Sequence, residues 1–308
     1  MSIIEYAANG LVYSSIIVLG SIGLSLIYSI GGFANFAHGD TMTVSAYATL
    51  VAFGFIGSVG FSVLGLPMGF FLALLVGIAV AAVVALITEK IVYEPLDIGS
   101  IGLLITSIGV AFVYRALIQM GFGADSIRYE VGFVQPIEAL LPYGIRMTQH
   151  DVAIVLSAVV LVAGLHGLLQ HTDLGRKMRA MADNPDLART SGIRTYRIKL
   201  WSWIIGAGLA GAGGVFLGLF SLLEPRMGFD ILLIIFAAVI LGGIGSVYGA
   251  MLGGFLIGMV VRMTPLLSDL GIPIGIDYAN AVAFLIMVAV LLVRPTGIAG
   301  EAIDGEGV

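Results

Sequence analysis

The sequence predicts an all-α fold in which the chain crosses a membrane about eight to nine times. Of the 308 residues, 59% are apolar and only 11% are charged, whereas a soluble domain carries about 25% charged residues. Apolar runs also recur at roughly the 20-residue length that an α-helix needs to cross the hydrocarbon core. We therefore expect a polytopic α-helical protein, multi-pass in the cell membrane.

Nine apolar runs bounded by turn residues are candidate transmembrane helices. They cover residues 8–30, 41–58, 66–88, 98–120, 150–170, 200–222, 229–246, 248–265 and 277–293. The second, seventh and eighth are short enough to cross only half of the membrane. We interpret residues 1–308 as a single transmembrane domain.

One long polar island, residues 171–199, separates the fifth run from the sixth. It holds half of the fourteen Lys and Arg residues of the chain. Short loops rich in Lys and Arg stay on the cytoplasmic side of a membrane. Counting outward from this loop places the N-terminus and residues 121–149 outside and the C-terminus inside.

Within the basic loop, the residue types predict a short helix from Pro185 to Ser191. Asn184 is a good N-cap, because its side chain accepts an unpaired backbone N–H, and Pro suits the first helical position. Gly192 supplies the stop, since glycine adopts the left-handed conformation that often ends helices. A helix this small, on the cytoplasmic face, suits docking rather than catalysis.

Two glycine-rich breaks, residues 31–40 and 242–249, each join two apolar runs almost without a loop. Unwound backbone at membrane depth is tolerated where it is buried in protein or lines a watery cavity, and paired breaks indicate a substrate path. The residues of the breaks that we expect along this path are Asn35, His38, Gly39, Gly243 and Gly245. A tight turn at the membrane surface explains each break about as well, and both interpretations stay open.

Small residues recur every four positions in two segments. The sixth has Gly206, Ala210, Gly214 and Gly218, and the eighth has Ala250, Gly254 and Gly258. Such stripes let helix backbones approach closely, so we expect them at helix contacts within the chain.

Polar residues in and near the apolar runs offer few candidates for chemistry. His38 and Asp40 form a polar cluster that is a functional candidate, but we favour Asp40 as the N-cap of a helix starting at Thr41. The ionisable residues near segment ends are expected as interfacial anchors; they are Arg115, Asp230, Arg262 and Asp277. The four histidines do not match a metal motif, and we expect no catalytic residue, metal or cofactor.

The dipeptide Gly-Lys does not occur in the sequence, so the chain contains no P-loop for nucleotide binding. We therefore expect no enzymatic activity of its own, and an ATP-driven machine would need its motor on another polypeptide. The composition implies contact with lipid and no nucleic-acid partner.

Four stretches resemble the permease subunits of branched-chain amino acid ABC importers, and the resemblance covers residues 11–300. They are IGGFANFAHGD (30–40), GRKMRAMADNPDLARTSGI (175–193), AAVILGGIGSVYGAMLGGFLIG (237–258) and RPTGIAG (294–300). The resemblance implies a complex of two permease subunits, two cytoplasmic ATP-binding subunits and an external substrate-binding protein. The second permease is either identical or a paralogue.

The resemblance also makes residues 171–199 the cytoplasmic coupling loop. Ala182, Asn184, Ala188 and Gly192 match small and polar positions of the ATPase-contacting segment of the family. Arg179 and Pro185 complete this candidate surface.

Permeases for urea and short amides share these motifs, so the resemblance leaves the solute open between them and branched-chain or related amino acids. A self-sufficient secondary transporter or channel is the rival class. Acidic residues are scarce inside the apolar runs, whereas a proton- or sodium-coupled carrier usually needs them there. An intramembrane enzyme is a third class, and no catalytic constellation supports it.

Overall fold

The chain forms a helical bundle in a computed structural model, which describes residues 3–132, 134–269, 271 and 275–300. The α-helices are α1 (Ile3–Gly31), α2 (Ala37–Ile56), α3 (Met68–Thr88), α4 (Ser100–Phe122), α5 (Gln149–His171), α6 (Asp173–Asp183), α7 (Pro185–Thr190), α8 (Thr195–Phe220), α9 (Met227–Gly242), α10 (Val247–Met263), α11 (Leu266–Asp269) and α12 (Ala279–Val293). A hairpin of β1 (Ser62–Val63) and β2 (Leu66–Pro67) precedes α3. Shorter helical turns are a π-helix at Glu89–Tyr93 and 3-10 helices at Glu138–Tyr143 and Ile276–Tyr278.

Six helical stretches of the described chain are long and apolar enough to cross a membrane. They are α1, α3 with its π-helical end, α4, α5, α8, and α10 continued through α11. The remaining three predicted segments fall on α2, which has 20 residues, and on the shorter α9 and α12, which have 16 and 15. The all-α polytopic prediction is confirmed. The eighth segment, expected to be short, is long, because the helix continues past Met263.

The centre of the bundle is the pair α1 and α8. The most apolar 18-residue window is 89% buried in α1 and 72% buried in α8, against 28% in α4 and in α5. α10 and α8 pack along α1, and α2 and α3 pack along α8. The outer helices instead expose large apolar side chains such as Met120, Val160 and Leu292. These surfaces suit lipid or a neighbouring membrane subunit.

The small-residue stripes lie at contacts between helices, as predicted. A Cβ added at Gly206 would come within 2.8 Å of the carbonyl oxygen of Gly23 in α1. One added at Gly258 would lie 2.6 Å from the Cα of Ser14, also in α1. At Gly206 and Gly258 the stripes therefore allow a close approach to α1 that a larger residue would obstruct.

At one end of the bundle, the predicted basic loop contains two helices rather than one. The helix α6 was not predicted. It is amphipathic, with Gly175, Met178 and Met181 buried at three-residue spacing. The helix α7 matches the predicted short helix, ending one residue earlier at Thr190. Together they form a layer across the ends of α5 and α8.

Candidate translocation site and coupling surface

The first break begins as an interruption inside the bundle. α1 ends at Gly31, and residues 32–36 turn the chain back so that His38 reaches α1 again. The Nε2 of His38 donates a 2.9 Å hydrogen bond to the carbonyl oxygen of Gly20. Gly20 lies eleven residues before the end of α1, about 16 Å along the axis. α2 therefore starts at depth, which favours an interruption inside the membrane over a turn at its surface.

Asn35 satisfies the unwound backbone of this break. Its side chain is buried. Its Oδ1 accepts a hydrogen bond of 3.0 Å from the N–H of Ala37 and one of 3.3 Å from the hydroxyl of Tyr93. The N–H of Phe36 donates 2.9 Å to the Oγ of Ser107 in α4. The polar groups thus have partners from three elements, as buried backbone requires.

Gly39 lies where α2 crosses the start of α9. A Cβ at Gly39 would overlap the carbonyl of Gly228, and a Cβ at Gly228 would overlap the carbonyl of Gly39. The N–H of Gly228 donates 3.1 Å to the Oγ1 of Thr43. The first turns of two helices therefore meet inside the bundle, a contact that the sequence analysis did not anticipate.

Asp40 does not cap a helix at Thr41, so that prediction is wrong. α2 begins earlier, at Ala37, and Asp40 lies within its first turn. Its carboxylate instead accepts from the Nε of Arg115 at 3.2 Å and from the Nη2 at 3.0 Å. Asp40 is fully buried and the side chain of Arg115 is 11% exposed. Arg115 is therefore half of a buried ion pair rather than an interfacial anchor.

Aromatic rings flank this ion pair. The guanidinium carbon of Arg115 lies 4.5 Å from the ring centroid of Phe229 in α9 and 5.4 Å from that of Phe112 in α4. These contacts add cation–π attraction to the charge pair. Together they fasten the start of α2 to α4 and α9.

The second break lies at the end of the bundle that carries α6. Gly243 and Gly245 take positive φ values of 108° and 85°, which favour glycine. The C-terminal segment closes this end of α9, because the N–H groups of Ile298 and Ala299 donate 2.8 and 2.9 Å to the carbonyl oxygens of Leu241 and Gly242. The break thus joins α9, α10 and the last described residues.

Residues of both breaks line one shared cavity, but the polar side chains of the first break are not among them. Gly32 of the first break and Gly245 of the second line a cavity of about 600 Å³ together with Arg179 and Ala182 of α6. Asn35, His38 and Gly39 do not line it. A role for the two breaks in a substrate pathway stays a prediction.

The candidate coupling residues form a capped and partly exposed surface. The Oδ1 of Asn184 accepts 2.9 Å from the N–H of Leu187, and Pro185 occupies the first turn. Gly192 has φ +81° and ends the helix as predicted. Ala188 is buried against the layer beneath, whereas Leu187 is 64% exposed. Local sequence signals therefore predicted the helix, but not its exposed apolar residue.

Arg179 and Ala182 belong to α6 rather than to α7. The Nη1 of Arg179 donates hydrogen bonds to the carbonyl oxygen of Leu169, at 2.6 Å, and to the Oε1 of Gln170, at 3.0 Å. Arg179 thus binds the end of α5, while Ala182 is exposed.

An ion pair with a buried acid connects this layer with the first break. Lys199 in the first turns of α8 pairs with Glu89, which is 1% exposed at the π-helical end of α3. Four residues further along each element, the rings of Tyr93 and Trp203 stack with centroids 5.7 Å apart. Tyr93 is the residue that donates to Asn35. The sequence analysis did not predict this pair. The sequence signal for it was a charged residue of opposite sign beside each of two apolar runs, Glu89 after residues 66–88 and Lys199 before residues 200–222.

A family model described as "Branched-chain amino acid transport system / permease component" matches residues 6–291. The chain belongs to this family. BraD of Pseudomonas aeruginosa, a high-affinity branched-chain amino acid transport system permease protein, is 29% identical over 97% of this chain and 96% of its own length. LivH of Methanocaldococcus jannaschii, a probable branched-chain amino acid transport permease, is 32% identical over 95% of this chain and 91% of its own. The corresponding values for LivH of Escherichia coli K12 are 29%, 95% and 94%.

The match confirms the resemblance inferred from the four sequence stretches and establishes a multi-pass permease of the cell membrane. Permease components of ABC importers work with an ATPase and a substrate-binding protein, so partners of both kinds are implied in general terms. In this permease, the four stretches fall where elements meet. They form the first break, the layer α6–α7, the second break with α10, and the C-terminal segment that closes α9.

Proposed function

We propose that this permease forms the solute pathway of an ABC importer for branched-chain or related amino acids. In this proposal it works with two cytoplasmic ATP-binding subunits, a second permease subunit and an external substrate-binding protein. The observation that carries the proposal is the family match across residues 6–291, together with full-length relatives named for branched-chain amino acid transport. ATP hydrolysis belongs to the partner subunits, because this sequence has no P-loop.

In this proposal, α7 is the docking element for the ATPase. Six residues make a marginal helix by themselves, since isolated helices shorter than about 12 residues are unstable in water. Its caps at Asn184 and Gly192 and the buried Ala188 hold it in place. Leu187 is exposed on this helix, and in this proposal it makes an apolar contact with the docked ATPase.

Movement of the docked helix would reach the first break through contiguous contacts. α7 is followed directly by α8, where Lys199 holds Glu89 at the end of α3. The adjacent Tyr93 binds the side chain of Asn35 in the break. Separating this pair would leave the buried carboxylate of Glu89 without its counter-charge, which is costly. The start of α2 would therefore follow α8.

Reconstitution in liposomes tests this function. The complete complex, with ATP inside and the binding protein outside, should accumulate leucine, isoleucine or valine against a gradient. The chain alone should accumulate none of them and should not bind ATP. Uphill uptake by the chain alone would support a secondary transporter instead. Uptake of urea or acetamide in place of the amino acids would overturn the proposed substrate class.

A further inference from the structure

At the end of the bundle opposite α6 and α7, a cavity of about 330 Å³ carries charges of both signs. We call it the outer cavity. Its lining includes Tyr13, Leu217, Glu224, Asp230, Ile231 and Arg262. This volume lies at the small end of the roughly 300–1,000 Å³ range of ligand sites, which suits one small molecule.

Arg262, which the sequence suggested as an interfacial anchor, is the cation among the residues that line the outer cavity. Its guanidinium carbon lies 4.3 Å from the ring centroid of Tyr13 and 4.9 Å from that of Phe220. Guanidinium N–H groups point outwards in the plane of the group. Rings packed against the guanidinium therefore leave its N–H edge to hydrogen-bond a ligand.

Arg262 has no counter-charge among the described residues. Within the described residues, no carboxylate lies within ion-pair distance of Arg262. Its Nε is buried without a hydrogen-bond acceptor. A guanidinium that is partly buried without a counter-charge is costly, and a carboxylate that forms a two-bond pair with it would relieve this cost.

Glu224 and Asp230 add two carboxylates to the same cavity. Glu224 accepts 2.8 Å from the Oγ of Ser126. Asp230 lies 3.8 Å from Arg226, and both of these side chains are more than half exposed, so that pair holds Asp230 only weakly. Both acids therefore remain free to accept hydrogen bonds from an ammonium group. Apolar side chains, Leu217, Met227 and Ile231 among them, complete the lining.

We propose that the outer cavity binds a zwitterionic amino acid with an apolar side chain. Arg262 holds its carboxylate, Glu224 and Asp230 hold its ammonium group, and the apolar residues contact the side chain. This inference rests on the proposed function and assigns a substrate site to it. Urea has neither charge and would leave Arg262 unpaired. The cavity is also lined by Met227. The next residue, Gly228, packs on Gly39 of the first break.

A protection experiment in the assembled transporter tests the site. The chain has no cysteine, so Ser221→Cys places one thiol on it, at an exposed residue that lines the outer cavity. Labelling of this thiol with a membrane-impermeant maleimide is followed on this chain in reconstituted complex, without ATP or binding protein. Ser58→Cys, an exposed serine just beyond α2 and outside the cavity lining, is the matched control.

Leucine should slow labelling of Ser221→Cys severalfold and leave Ser58→Cys unchanged. 4-Methylpentanoate, which lacks the ammonium group, isoamylamine, which lacks the carboxylate, and urea should each protect much less than leucine. Arg262→Gln in the Ser221→Cys chain should abolish protection by leucine. The ligand series needs no change at Arg262, so it stands even if that variant folds poorly.

Equal labelling with and without leucine would overturn the site, as would equal protection by leucine and 4-methylpentanoate. If the complex still imports leucine in liposomes, such a result removes the outer cavity alone and leaves the proposed function in place. Failure of the complex to import leucine, isoleucine and valine would instead count against the proposed function.

Discussion

Gly39 and Gly228 meet where α2 crosses α9, and neither position has room for a Cβ. Overpacking a close contact typically costs about 1–3 kcal/mol. Gly39→Ala should therefore lower the thermal midpoint of the purified permease. Gly54 lies in the same helix with no atom within 4 Å of an added Cβ. There, alanine should be neutral or stabilise by about 0.5–1 kcal/mol, and equal midpoints for the two variants would contradict this packing.

Asp40 and Arg115 form a buried ion pair between α2 and α4. Asp40→Leu leaves the guanidinium buried without its carboxylate, which should destabilise the permease by about 3–5 kcal/mol. The double variant with Arg115→Leu removes both charges and should recover much of that loss. Thermal unfolding of the two single variants and the double variant measures the coupling. A double variant whose loss equals the sum of the single losses would show that the pair does not act as a unit.

Residue by residue, sequence reasoning succeeded where the cause is local. Asn184 and Gly192 act through backbone within three residues, and both take their predicted roles. Asp40 did not, because its partner Arg115 lies 75 positions away and only the packing of α2 against α4 brings them together. The same limit applies to Arg262, whose ring contacts come from α1 and α8.

At the scale of elements, α7 should fail first at its caps. Asn184→Ala removes an acceptor and costs about 1 kcal/mol of helix stability, and Gly192→Val strains the left-handed stop by about 1–2 kcal/mol. The double variant should reach the membrane at normal abundance but lose substrate-stimulated ATP hydrolysis and uptake together. Both rates are measured in reconstituted complex. Normal rates would reduce α7 to a connection between helices.

The apolar pattern of the sequence predicted where helices lie along the chain. It did not predict how deep each helix begins in the bundle or which helices it contacts. Each of the nine predicted segments falls on a helix, yet nothing in the sequence placed the start of α2 beside Gly20, deep along α1. The amphipathic α6 escaped notice because its buried residues are Gly175, Met178 and Met181, amid a run of basic residues. Interrupted helices are defined by the partners of their unwound backbone, and those partners lie on other elements.

For the whole molecule, the orientation rests on the basic loop and stays a prediction. Two exposed positions at opposite ends of the bundle, Thr190 and Ser126, can each carry a single cysteine in this cysteine-free chain. A membrane-impermeant maleimide should label Thr190→Cys from the cytoplasmic side and Ser126→Cys from outside. Labelling in the reverse pattern would show that the positive-inside inference fails for this permease.

The proposed coupling of this permease to ATP hydrolysis depends on α7 being the surface that a separate ATPase engages. The most direct test is the affinity of the purified ATPase for permease embedded in nanodiscs, compared between the native chain and Leu187→Ser. Leu187 is 64% exposed, so its loss should leave the thermal midpoint of the permease unchanged and weaken ATPase binding about tenfold, or 1.4 kcal/mol. Leu141→Ser, the control, changes a leucine that is 46% exposed on the predicted outer side. The Leu141→Ser permease should bind the ATPase like the native chain. Native affinity of the Leu187→Ser permease for the ATPase would contradict the central claim.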